Sequence, residues 1–124
     1  MASPKKTVLL VDDEDAIREA ASEALRSMGY AVLEASSGPE ALEVSAAREC
    51  KIDLLLTDLI MPGMTGRALA ETLSARCPGL EVIFMSGYVD GSREQDIRCI
   101  QKPLTMKELA ALVSKVLETP RKKS

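Results

Sequence analysis

Four short, nearly uninterrupted apolar runs recur along the chain at almost even spacing, and they limit its fold more than any other feature. Thr7 to Val11, Tyr30 to Ala35, Asp53 to Thr57 and Leu80 to Met85 start 23 to 27 residues apart, the length of one strand plus one helix. Within them, Val8-Leu9-Leu10-Val11, Leu54-Leu55-Leu56 and Val82-Ile83-Phe84-Met85 do not alternate with polar residues. A strand that is apolar on both faces must be covered on both faces, which is the condition of a parallel sheet between two helical layers.

The intervening segments read as those helices. Ile17, Ala20, Ala21, Ala24, Leu25 and Met28 recur at helical spacing and close at Gly29. Ser37-Gly38-Pro39-Glu40 reads as a capping box, and so does Thr105-x-x-Glu108, which leads into Leu109, Leu112, Val113, Val116 and Leu117. A further helix spans about Gly66 to Arg76 and stops before Pro78-Gly79. Val89 to Asp96 is polar and leaves room for only a shortened helix, before a short edge strand over Ile97 to Gln101. The alternation predicts one open, doubly wound α/β domain of five parallel strands with right-handed crossovers and helices on both faces. Its expected core covers about residues 6–117, and a short basic tail occupies 118–124.

Composition removes many chemistries. There is no histidine, so His-ligated metal sites, Ser-His-Asp triads and Cys-His pairs are excluded. With Tyr30, Tyr88 and Phe84 as its only aromatics, the chain offers no stacking platform for single-stranded nucleic acid. The balance of 16 Lys+Arg against 19 Asp+Glu gives a net charge of −3, and Arg121-Lys122-Lys123 is a poor nucleic-acid footprint on such a chain. Cys50, Cys77 and Cys99 are odd in number and lack a C-x-x-C pair, so they are expected to be reduced, buried residues in a cytoplasmic protein. The apolar run behind Lys5-Lys6 is too short for a signal peptide or membrane span.

In open parallel sheets ligands sit beyond the carboxyl ends of the strands. Those ends carry Asp12-Asp13-Glu14, Asp58, Ser86-Gly87 and Lys102-Pro103. Taken singly, the aspartates could cap a helix or start a turn, Ser86-Gly87 could be a loop and Lys102 a surface lysine. Together they place carboxylates, a hydroxyl and an ammonium at one sheet edge. Crowded carboxylates repel unless a cation offsets them, and a hard divalent ion with oxygen ligands, Mg2+ above all, meets that need.

The series Val11-Asp12-Asp13-Glu14, Asp58-Leu59-Ile60-Met61-Pro62-Gly63-Met64-Thr65-Gly66, Met85-Ser86-Gly87 and Lys102-Pro103 resembles the receiver domain of two-component response regulators. The likeness runs from about Lys6 to Leu117. The wording around Phe84 to Tyr88 and Ile100 to Pro103 further resembles receivers attached to hybrid sensor histidine kinases. The resemblance implies a flavodoxin-like strand order 2-1-3-4-5 and a regulatory phosphoacceptor rather than an enzyme acting on other substrates. Asp58 would accept a phosphoryl group from a phosphohistidine of a histidine kinase or phosphotransfer partner, and slow autodephosphorylation would follow. Asp13, Asp58 and the backbone carbonyl of Ile60 would ligate Mg2+, or Mn2+ in its place, with Asp12 acting mainly through water. Lys102 would pair with the phosphoryl oxygens and Ser86 would hydrogen-bond one of them.

Two departures stand out. Cys99 occupies a position where the family usually carries an aromatic, and the stretch from Ser86 to Lys102 is short. The phosphoacceptor set is complete, whereas the usual output face is altered, so no dimer through that face is expected. A degenerate receiver serving only as a docking module is one competing reading. A Mg2+-dependent phosphohydrolase with an Asp nucleophile is another, and the chain has no cap domain to hold a substrate. A flavin carrier would want a hydroxyl- and glycine-rich phosphate loop where this chain has acids.

Overall fold

In the computed structural model the described residues are 6–49, 51–59, 61–86, 99–101 and 106–118. The strands are β1 (Thr7–Val11), β2 (Ala31–Ala35), β3 (Leu54–Asp58), β4 (Glu81–Ser86) and β5 (Cys99–Gln101). The helices are α1 (Asp15–Ser27), α2 (Gly38–Ala47), α3 (Gly66–Arg76) and α4 (Met106–Glu118). All strand pairs are parallel, in the order β2-β1-β3-β4-β5. This is the expected doubly wound sheet, with β1 as expected and the other strand boundaries within two residues of the expected ones. The shortened helix expected after β4 and the Thr105 cap lie outside the described residues.

Period-two geometry explains the continuous apolar runs. Val8, Leu10, Leu54, Leu56, Ile83 and Met85 face one way, into a core closed by Leu25 of α1 and Leu109, Val113 and Leu117 of α4. Leu9, Val11, Leu55 and Phe84 face the other way, against Ala41 of α2 and Leu69 and Leu73 of α3. β1, β3 and β4 therefore each serve two cores, and an alternating pattern would have left one of them unfilled.

The helix ends follow their chemistry with some departures. α1 ends at Met28, and Gly29 takes up φ +99°, the left-handed turn that glycine adopts without a Cβ penalty. The apolar stripe of α1 is narrower than its spacing suggests. Ala20 and Met28 are exposed, whereas Ser22 is buried because its hydroxyl donates to Glu34 Oε2 on β2 at 2.9 Å. At α2 the Ser37 hydroxyl accepts from the Glu40 N–H at 3.2 Å, as the capping box predicts. The Glu40 carboxylate, however, takes both the backbone N–H and the hydroxyl of Ser36, one residue earlier than the motif implies.

The cysteine expectation is corrected. Cys77, the C-cap of α3, is buried as expected but is disulfide-bonded, and the side chains of the other two cysteines lie outside the described residues. Its sulfur lies 3.7 Å from the Ser45 hydroxyl near the end of α2. Antiparallel passage of α2 and α3 against the strands brings their C-terminal ends together, and residue spacing along the chain does not reveal that proximity.

Candidate functional site

The strand order reverses between β1 and β3, since β2 lies on one side of β1 and β3 with β4 on the other. A crevice opens at the carboxyl ends of strands at such a switch point. Val11 is in register with both Ala35 of β2 and Thr57 of β3, so Asp12 and Asp58 stand at the same height on neighbouring strands. The carboxylates of Asp12, Asp13 and Asp58 converge there, with one oxygen from each lying within 4.8 Å of the others.

The three acids have different surroundings. Asp12 is fully buried, Asp58 is 7% exposed and Asp13 is open to solvent. The Asp12 N–H donates to the Ala35 carbonyl at 3.2 Å, and Asp12 Oδ1 accepts from the Glu14 N–H at 2.9 Å, forming a tight turn that leads into α1. This turn supports the helix start, because Glu14, the N-cap, makes no side-chain cap of its own. Asp12 thus does part of the capping work read from the sequence while also facing the acidic crevice.

Asp58 closes β3, pairing in register with Met85, and the next N–H, of Leu59, donates to the Met85 carbonyl at 2.8 Å. The chain then returns, and Gly66 at the start of α3 donates to the Leu59 carbonyl at 2.8 Å. A Cβ on Gly66 would run into the Asp58 carbonyl oxygen, so the glycine ending the D-x-x-M-P-x-x-x-G stretch is required by close backbone approach. Thr65 caps α3 by accepting from the Ala68 N–H at 3.1 Å.

Behind the acids stands Arg18 of α1, which sequence reasoning missed. Its guanidinium donates to the Asp12 carbonyl at 2.7 Å and to Asp15 Oδ1 at 2.6 Å, and it lies 3.5 Å from Glu34 Oε1. The hydrogen bond to Asp15, reinforced by the charges of Asp15 and Glu34, raises its pKa further above the ordinary arginine value. The sequence signal was an arginine three residues after Asp15, on the helix face that follows the acidic turn.

The remaining expected site residues are less fully described. Ser86 ends β4 opposite Gln101 of β5, but its side chain is outside the described set. Ile60 and Lys102 lie outside the described residues altogether. Lys102 follows Gln101 directly in sequence.

An all-oxygen donor set of this kind suits a hard divalent cation, and it offers nothing to a soft one. The fold and the acidic crevice define a class, and the comparisons agree with it. The response regulator receiver domain model matches residues 8–114, and the chain belongs to that family, which serves phosphorylation-dependent signalling. The sensor kinase CckA of Brucella abortus is 38% identical over 122 residues, covering 94% of this chain and 13% of that kinase. The response regulator receiver protein CpdR of the same organism is 30% identical, over 90% of this chain and 97% of its own length. The crystal structure of the receiver domain from the hybrid histidine kinase CckA superposes with a TM-score of 0.80 at 40% identity, covering 90% of this chain and 98% of that domain. The chain thus spans a small part of some relatives and nearly the whole of others.

Proposed function

We propose that this chain is a phosphorylation switch whose phosphoacceptor is Asp58, loaded in a Mg2+-dependent reaction by a phosphohistidine on a histidine kinase or phosphotransfer protein. The observation that carries this reading is the convergence of Asp12, Asp13 and Asp58 at the switch point. In the transfer, a carboxylate oxygen of Asp58 forms a bond to phosphorus as the phosphorus–nitrogen bond to the donor imidazole breaks. The imidazole keeps the electron pair and takes up a proton, leaving an acyl phosphate on Asp58. Repulsion between like charges is the difficulty, because an anionic phosphoryl group must approach an acidic site.

Asp13, Asp58 and the Ile60 carbonyl would hold the cation directly, with Asp12 acting through water, and Mn2+ could replace Mg2+. The bound ion supplies positive charge that offsets the phosphoryl oxygens and the three acids. Lys102 adds an ammonium to the same oxygens, and the Ser86 hydroxyl donates to one of them. A hydrogen bond to such a charged group is worth about 1.5–3 kcal/mol, enough to shift a two-state equilibrium by roughly one to two decades. Water attack on the acyl phosphate, within the same residues, returns the switch to rest. The family roles of Ile60, Ser86 and Lys102 support these assignments.

Residues 6–117 form the working unit in this reading, with the basic tail outside it. The cytoplasm is the setting this reading expects. No described helix is long and apolar enough to cross a membrane. Hybrid-kinase relatives and a free-standing regulator are both among the similar proteins, and either arrangement accommodates this reading.

Intact mass after incubation with acetyl phosphate tests the reading. One added phosphoryl group with Mg2+, none with a chelator, and slow decay are the expected results. Continuous release of phosphate over many turnovers would instead indicate a hydrolase. No modification by acetyl phosphate or by a phosphohistidine donor would leave a docking module.

A further inference from the structure

The turn carrying Asp12 and Asp13 is tied to the neighbouring strand twice. The Asp12 N–H reaches the Ala35 carbonyl directly, and the Asp12 carbonyl is held by Arg18 Nη1 at 2.7 Å. Arg18 Nε lies 3.5 Å from Glu34 Oε1, and Glu34 precedes Ala35 on β2. Glu34 is itself fixed, accepting from the Ser22 hydroxyl at 2.9 Å and lying 3.3 Å from Arg26 Nη2. The Arg18 side chain is 15% exposed and that of Glu34 30%, so this pair is partly shielded, whereas Asp15 and Arg26 lie mostly in solvent.

Resting on the reading of Asp12, Asp13 and Asp58 as the cation site, we infer that Arg18 is a positioning residue for that site. Braced on Glu34, it sets the path of the Asp12–Glu14 turn and hence the aim of the Asp12 and Asp13 carboxylates.

Two effects of Arg18 oppose one another, and their signs differ. A positive charge beside a cation site repels the cation, so its removal alone would tighten Mg2+ binding. Its hydrogen bonds hold the ligand-bearing turn, so their loss would weaken binding. The charge of Arg18 faces Asp15 and Glu34, and Glu40 also feels it, which leaves little net repulsion for a cation. The positioning effect therefore dominates. Lysine keeps the charge but cannot donate to three separated acceptors from one ammonium, and methionine keeps the aliphatic stem without either.

The test is calorimetric titration of the full chain with MgCl2, paired with amide hydrogen exchange at Asp13 and Glu14 in metal-free protein. Arg18→Met and Arg18→Lys should each weaken Mg2+ binding by about tenfold, the lower end for partners of metal ligands. Exchange at the turn should accelerate in both variants without metal. With acetyl phosphate, the Mg2+ concentration for half-maximal labelling should rise while the maximal rate stays close to wild type. Glu34→Gln should move the same quantities in the same direction by less. Leu117→Ala, a core truncation at the far end of α4, should lower stability without moving Mg2+ affinity. Wild-type affinity in Arg18→Lys, or unchanged or tighter binding in Arg18→Met, would overturn the inference alone. No Mg2+ binding by the wild-type chain would overturn the cation-site reading and the inference together.

Discussion

At the residue scale, the acidic crevice is a set of groups held close against their mutual repulsion. Asp12 and Asp58 are fixed by strand register, and Asp13 sits beside them at the solvent edge. Removing one of these charges relieves repulsion in the metal-free protein but removes a ligand from the loaded one. Asp13→Asn should therefore be slightly more stable than wild type in chelator, by less than about 1 kcal/mol because the group is exposed. Mg2+ at ten times its Kd should stabilise the wild type by about 1.4 kcal/mol and the variant by nearly nothing. Urea denaturation with and without Mg2+ measures both. Gly66 makes the complementary case for backbone. Gly66→Ala must displace either α3 or the Asp58 carbonyl, since no flexible side chain can give way there. It should cost about 1–3 kcal/mol in denaturant unfolding and slow labelling of Asp58 as well.

At the scale of elements, α1 and α2 show how local chemistry serves the site. α1 begins on a turn made by Asp12 rather than on its own cap, so the helix start and the acidic crevice share one residue. The Glu40 carboxylate at α2 is held below its ordinary pKa by the backbone N–H of Ser36 first and its hydroxyl second. A depressed carboxyl pKa means the ionised form is favoured in the folded state. This contribution is complete above the ordinary value of 4.5 and is lost as pH falls through the lower folded value. Amide protection factors at the start of α2, with the intrinsic pH dependence of exchange divided out, should fall in that acid window in wild type, and in Glu40→Gln the fall should be absent. Helix positions were largely legible in the sequence, because apolar spacing and the Ser37 cap are local signals, whereas the Thr65 cap of α3 came only with the structure. The orientation of α1 was less so. Its alanines satisfy helical spacing on more than one face, and the partner of Ser22 on β2 adds to the packing of Ala21 and Leu25 in deciding which face turns inward.

At the scale of the whole molecule, the continuous apolar runs carried the layer architecture, since strands feeding two cores can have no polar face. The acidic site was legible for a related reason: in a parallel sheet all strand ends of one kind meet at one edge, so Asp12, Asp13 and Asp58 could be brought together from their positions after apolar runs. What the sequence hid depends on contacts between elements remote along the chain. The Arg18–Glu34 brace joins α1 to β2, and the proximity of Cys77 to Ser45 joins the ends of α3 and α2. Neither carries a local signal, and the disulfide at Cys77 ran against the expectation drawn from cysteine number and spacing.

The most direct measurement of the central claim is to find which residue takes the phosphoryl group. Protein labelled with acetyl phosphate and Mg2+ is reduced with borohydride, which converts an aspartyl phosphate to homoserine, then digested and sequenced by mass spectrometry. The account predicts homoserine in place of aspartate at position 58, with no conversion when Mg2+ is chelated and none in Asp58→Ala. Conversion at Asp12 or Asp13 with Asp58 intact, or labelling that persists in Asp58→Ala, would contradict it.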